Sequence, residues 1–477
     1  YIIHKIYINY KRLKILKRRN FLLNSAATTL ALTIPRISVS KVNENYYKLT
    51  AESKKFKFGE KGNKKSNLWL YNQKSPGPTI STKKGTELIV EFKNLLKEPT
   101  TIHWHGIRNI NEMDGVSNLT QPAIEPGETF IYKFPLNDAG TFWYHAHNKS
   151  WEQVARGLYG PLIVEDILPI GFDNDITLVA DDWRLTKEHE FDEKSLGSLM
   201  DWSHQGRLGN WLTINGESNP KISLKENTHV RLRLINASNA RILNFKFKNY
   251  SAKIIALDGA PCEPFIKSAF QIAPAQRIDF AIDIKNKDLM LFETSTEKLY
   301  PTALFPIEKT DSITDNKINL KNLKSWDNFP NLNQPEIIDI HMQGGAMGNL
   351  SSAIFNGEKK SLRELASKEA KLWAFNGEIG DYSYTIAEIK MGKTVILKVW
   401  NDTAWKHSMH LHGHHFWINS FEFGKIPKMI MRDTYLMQPG EKAELIFEAN
   451  NPGLWLFHCH MLEHAASGMV GVINIDS

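Results

Sequence analysis

Pro126-Gly127-Glu128, the alternating run Thr129-Phe-Ile-Tyr-Lys-Phe134 and then Gly140-Thr-Phe-Trp-Tyr-His145-Ala-His147 make up a stretch that recurs near the other end of the chain. There Pro439-Gly440-Glu441 leads through Lys442-Ala-Glu-Leu-Ile-Phe447 to Gly453-Leu-Trp-Leu-Phe-His458-Cys-His460. Proline to first histidine is 19 positions in both copies. A second pair keeps register as well. Gly85, opening Gly85-Thr-Glu-Leu-Ile-Val90, lies 18 positions before His103-Trp-His105-Gly106, and Gly392 of Gly392-Lys-Thr-Val-Ile-Leu397 lies 18 before His410-Leu-His412-Gly413. Two preserved registers imply that the first and last parts of the chain share one fold.

The middle carries a fainter copy without the histidine pairs: Asn215-Gly216, then Thr228-His-Val-Arg-Leu-Arg-Leu-Ile-Asn236 and Pro274-Ala-Gln-Arg-Ile-Asp-Phe-Ala-Ile-Asp283. Period-two alternation split by Gly, Pro and Asn turns dominates, which predicts strands. Helical patterning is sparse, and Ser361–Ala370 is its best candidate. The expected fold is therefore all-β, with three Greek-key β-sandwich domains over residues 42–165, 166–307 and 336–477. The polar stretch 308–335, rich in Asn, Asp and Lys, reads as a linker before the third domain.

The chain has 477 residues, 42% hydrophobic, so it can bury several cores. Basic residues outnumber acidic ones, 59 against 52, but nine of the basic ones fall within residues 1–41, where there is no acid. Without that segment the balance is 50 against 52, and a nucleic-acid partner drops away. Phe21–Ile34 is too short and mild for a membrane span, which needs about 20 apolar residues. With Lys17-Arg18-Arg19-Asn20-Phe21-Leu22 ahead of it, it reads as a twin-arginine export signal, and Ser38 and Ser40 mark a cleavage site. The remainder, in which no segment is long and apolar enough to span a bilayer, is expected to be soluble, monomeric and periplasmic.

Histidine decides the chemistry. Four His-x-His pairs, 103/105, 145/147, 410/412 and 458/460, account for eight of the 17 histidines. On a strand, residues i and i+2 face one side, so each pair presents two imidazoles together. Structural zinc takes four ligands, and eight imidazoles suffice for several ions. Cys459, between His458 and His460, must point to the opposite face. His464 and Met469 follow at intervals of five, and His407 precedes His410. A thiolate, two imidazoles and a distant thioether are the ligand set of a blue-copper electron-transfer site. With only two cysteines, no disulfide framework is possible, and Cys262 reads as a buried free thiol.

Taken together, His103-Trp-His-Gly, Trp143-Tyr-His-Ala-His, His407-Ser-Met-His-Leu-His-Gly-His414 and His458-Cys-His-Met-Leu-Glu-His464 resemble the multicopper oxidases, the laccase-like and cuprous-oxidase-like bacterial enzymes. The resemblance runs from about residue 45 to 477. It implies three cupredoxin-like domains and four copper ions. It assigns the blue copper to His407, Cys459, His464 and Met469, and the lone cluster copper to His103 and His410. A coupled copper pair falls to His105, His145, His147, His412, His458 and His460. The implied reaction is four one-electron oxidations of a reductant, passed through Cys459, coupled to reduction of dioxygen to water.

Four protons per dioxygen call for carboxylates near the cluster. Asp114 in Met113-Asp-Gly115 matches such a position, although a turn residue before glycine is an equal reading. Similar enzymes also place an acid directly after the blue-copper histidine, where this chain has Ala465; Glu463 is nearby. For the reductant, Met342 and Met347 in Ile340–Met347, with Asp402, resemble soft Cu(I) ligands, the alternative being that both methionines merely pack. The leading expectation is oxidation of Cu(I) in copper tolerance. A laccase acting on small phenols, aromatic amines or Mn(II), or a copper-sequestering protein without turnover, are the alternatives. His414 and His415 match no ligand position.

Overall fold

A computed structural model describes residues 45–59, 65–295, 298–310, 317–420 and 430–477. The export signal read over 1–41 lies outside the described residues. Strands make up 49% and helix 8%, so the all-β expectation holds. Among the described residues no helix is long and apolar enough to cross a membrane.

The repeat read in the sequence is a repeat of pairing. In the first domain Tyr46–Phe56 runs parallel to Glu87–Asn94, which pairs antiparallel with Thr129–Pro135. In the second, Asn174–Trp183, His229–Asn236 and Arg277–Asp283 repeat that arrangement. Glu336–Gly344, Thr394–Asn401 and Lys442–Glu448 repeat it again in the third. The faint middle copy is thus a true copy. Each domain closes a second sheet over this one, and alternate residues such as Leu88, Val90 and Phe92 point into the sandwich with almost no exposure.

In the second sheets of the first and third domains, the histidine strands meet across equivalent pairs. Ile102–His105 pairs with Gly140–Ala146 so that His103 faces His145. His407–Leu411 pairs with Gly453–Cys459 so that His410 faces His458 and Met409 faces Cys459. The second domain keeps the frame and lacks these strands' histidines.

Ser361 caps the predicted helix by accepting the Glu364 amide, and the helix ends at Ala370 in a left-handed conformation (φ 52°). The described residues of the linker make more contacts than its composition suggests. Ile307–Glu308 still pairs with Leu224–Lys225 of the second domain, one residue beyond the expected boundary. Farther on, Trp326 stacks on Phe142 at 5.8 Å and donates from its indole N–H to the Ala139 carbonyl at 3.1 Å. Arg108 bridges Asp138 and Asp327 beside it. The linker is therefore a strap laid on the first domain. Trp326→Ala removes the ring stack and leaves the pocket under it unfilled. It is expected to cost roughly 1–3 kcal/mol, read as a lower midpoint in thermal unfolding.

Candidate metal centre

Eight histidines gather at the contact between the first and third domains, and His407, His464 and Cys459 lie behind them within the third, none of the eleven more than 4% exposed. The pleat of each strand sends His-x-His pairs to one side, and the two domains press those sides together. His103 stacks on His412 with ring centroids 3.9 Å apart, and His105 on His410 at 3.8 Å. Potential ligand atoms fall into tight groups: His103, His105 and His410; His105, His145 and His460; His147, His412 and His458; and His407, Cys459 and His464. The six histidines assigned together from the sequence thus divide into two sets of three, and Cys459 faces away from both as alternation requires.

Partners on the outer side fix the tautomer of most of these rings, although His147 Nδ1 and His460 Nδ1 find none among the described residues. A neutral imidazole has one N–H, and a carbonyl or carboxylate can only accept. His103, His410, His145 and His458 each direct Nδ1 at a backbone carbonyl, of Asp114 (2.9 Å), Asp433 (2.8 Å), Ala146 (3.1 Å) and Cys459 (3.0 Å). His412 directs Nδ1 at the Asp114 carboxylate at 2.8 Å. His105 is turned the other way, with Nε2 3.3 Å from Asp433 Oδ1. The lone pairs that remain point inward. Those of His103 Nε2, His105 Nδ1 and His410 Nε2 have no hydrogen-bond partner, although fully buried. His412 Nε2 faces His458 Nε2 at 3.0 Å, and His460 Nε2 faces His145 Nε2 at 3.3 Å.

The thiolate side repeats this logic. His464 donates from Nε2 to the His204 carbonyl at 2.8 Å, and His407 Nε2 lies 2.9 Å from the Thr403 hydroxyl. Their Nδ1 atoms face each other at 3.0 Å, with Cys459 Sγ 3.5 and 3.7 Å away. Met469 is fully buried in the same core, its amide on the His464 carbonyl and its carbonyl on the Cys459 amide, both at 3.0 Å. Facing lone pairs at such distances repel unless a cation lies between them, and this donor chemistry fits copper.

Burial sets the protonation states. It pushes His458 and His464 down to about 4, and His105, His145, His147, His407, His410, His412 and His460 well below the ordinary imidazole range. It also pushes the Cys459 thiol up to about 12, so a thiolate forms there only against a bound cation. Asp433 goes the other way: burial opposes its charge, but the Arg277 guanidinium, 2.6 Å from Oδ2, holds it well below the usual carboxylate range.

Asp114 sits at the end of the short turn Asn111–Met113 and reaches His412, so it is both a turn residue and a ligand partner. Gly115 makes this possible, because at φ +81° any Cβ would fall 1.7 Å from the Ile102 carbonyl oxygen. Asp433, Arg277 and Thr403 were not anticipated. Of the three residues expected to bind Cu(I), Met342 is corrected. It is 0% exposed, inward on Glu336–Gly344 and packed in the third-domain core, out of reach of a solvent ion. Asp402 is spent on His341 Nε2 at 2.9 Å, whereas Met347 is 74% exposed. His414 and His415 are buried, His415 Nε2 lying 3.3 Å from Asp433.

Multicopper oxidase family models match residues 52–168, 174–299 and 356–477. A multicopper oxidase of Staphylococcus haemolyticus is 30% identical over 469 residues, covering 95% of this chain and 94% of that protein. The chain belongs to the multicopper oxidase family. Among solved structures, a multi-copper oxidase from Pseudomonas thermotolerans superposes with a TM-score of 0.76 at 29% identity, covering 90% of this chain and 99% of that one. One from Campylobacter jejuni, described as a metallo-oxidase, gives 0.77 at 27%, covering 92% and 93%. Members of this family bind copper and use dioxygen as acceptor.

Acidification tests the burial of neutral imidazole. Unfolded imidazoles bind protons below about pH 6.5, whereas His458 and His464 do so only near about 4. The unfolded chain therefore holds more protons in this interval, and stability falls as pH drops. The urea midpoint of the copper-free protein is expected to be lower at pH 5 than at pH 7.

Proposed function

We propose that this chain is an exported oxidase that converts Cu(I) to Cu(II) in copper tolerance, passing the electrons to dioxygen. Copper bound to the two donor sets supplies one-electron redox chemistry on the thiolate side and dioxygen reduction to water on the imidazole side. Four ions per chain, a monomeric state, and periplasmic location through the basic leader belong to this reading. Cys459 joins the two sides through its own backbone: its thiol belongs with His407 and His464, and its neighbours are His458 and His460. Asp114 and Asp433 keep the imidazole tautomers fixed by accepting their outer N–H groups.

His464 is the outward end of this path. The carbonyl it bonds belongs to His204, which lines a cavity of about 260 Å³ with Met200, Asp201 and Trp405. The observation that favours Cu(I) is a pair of exposed thioethers, Met200 at 66% and Met347 at 74%. Their segments are tied together by the bond from the Ala346 amide to the Ser203 carbonyl at 2.7 Å. Thioethers suit Cu(I) and do nothing for a phenol. The Trp405 indole against His204, ring centroids 5.1 Å apart, favours the laccase reading instead, because it offers a face for one aromatic ring. Copper sequestration without turnover is the reading from another class.

Steady-state oxygen uptake should be fast with Cu(I) and slow across a phenolic panel. The double variant Met200→Ala/Met347→Ala should lower kcat/KM for Cu(I) about tenfold, roughly 1.4 kcal/mol, and leave any phenol oxidation unchanged. Uptake with phenols alone would establish the laccase reading, and none with any reductant would establish sequestration. Cys459→Ser should abolish blue absorption and oxygen uptake together; surviving uptake would overturn the electron path.

A further inference from the structure

Dioxygen reduction takes four protons with its four electrons, and the ligand histidines are almost fully buried. The carboxylates that touch them, Asp114 and Asp433, are 0% exposed and committed to ligand histidines and Arg277. A route from outside is present elsewhere. A cavity of about 520 Å³ has His147 and His458, two members of one ligand group, in its wall. Ala465 and Ala466 also line it, and Asp381 is the one carboxylate among its described lining residues. A volume of this size, with His147, Lys149, Ser150, Lys371 and Asp381 in its wall, has room and polar partners for several waters.

Asp381 is half-buried, and the Ser383 amide and hydroxyl both donate to its Oδ1, at 2.7 and 2.6 Å. No hydrogen bond to Oδ2 is found among the described residues. The cations in the wall are Lys371 and Lys149. Lys371 donates to the Ala466 carbonyl at 2.9 Å; burial lowers its basicity, and the charges of Asp381 and Glu369 oppose that. Lys149 is paired with Glu98 at 3.2 Å. Tyr382 completes the titratable groups, and burial raises its phenol to about 12, so it stays protonated.

We infer that Asp381 is the acid that delivers protons to the water of this cavity, and through it to the His147–His412–His458 side of the centre. In each transfer the carboxyl O–H bond breaks, a water takes the proton, and solvent at the mouth reprotonates the carboxylate. Four transfers accompany four electrons from the reductant, and two waters leave by the same cavity. The inference rests on dioxygen reduction at the histidine groups and not on which reductant is used.

The test measures oxygen uptake in the copper-loaded protein with Cu(I) and with a phenol. Asp381→Asn should lower it about tenfold with either reductant and raise the solvent isotope effect, leaving copper content and blue absorption unchanged. Small carboxylic acids should restore part of the rate. So should Ala465→Glu in the Asp381→Asn background, since it puts a carboxylate back on the same cavity. In the copper-free protein Ala465→Cys should react with a small charged thiol reagent faster than the parent's own cysteines. An active parent matched by Asp381→Asn would overturn this inference alone. Loss of rate accompanied by loss of blue absorption, or without recovery by either acid, would overturn it in favour of a structural role, and an unreactive Ala465→Cys would overturn the open cavity. A parent that takes up no oxygen with any reductant would overturn the proposed function and this inference with it.

Discussion

Everything at this centre depends on how each histidine uses its single N–H. Seven of the ten rings direct it outward to a carbonyl or carboxylate that can do nothing but accept, and His407 directs it at the Thr403 hydroxyl, so in these the remaining lone pair is fixed pointing inward. Five of the acceptors are backbone carbonyls, and two of these belong to the histidine strands themselves, Ala146 for His145 and Cys459 for His458. Strand geometry therefore supplies orientation as well as position. The cost is electrostatic: nitrogens 3.0 Å apart, both acceptors, and both rings buried. The sandwich cores on either side hold this arrangement in place.

The carboxylates act at one remove. Asp433 meets the His105 ring and the Arg277 guanidinium at once, and Arg277 belongs to the second domain. Asp258, also from the second domain, holds Arg432 at 2.7 Å beside it. The domain without copper-ligand histidines thus sets the charge behind the centre. Breaking a buried pair of this kind leaves an uncompensated charge, so these residues are bound to the fold as tightly as the ligands are.

Much of this was legible in the sequence, for a physical reason. The two-residue period of a strand, the 19- and 18-position registers and the single cysteine between two histidines are local facts, and local geometry converts them directly into a site. What escaped was long-range. Asp433 is 328 residues from His105, and a carbonyl acceptor such as that of His204 carries no side-chain signature at all. Met342 was misjudged although alternation held the answer: it shares the inward face of its strand with Ile340, while His341 between them stacks on Trp400. The strap around Trp326 escaped because a polar composition conceals a single anchoring indole.

The stacked pairs His103–His412 and His105–His410 have a consequence for assembly, because each unites rings from opposite ends of the chain. Neither end holds a complete imidazole group by itself. The second domain and the strap then serve as a tether that sets the effective concentration of one half-site for the other. The affinity of these groups for metal therefore depends on what holds the two ends of the chain together as well as on the ligands.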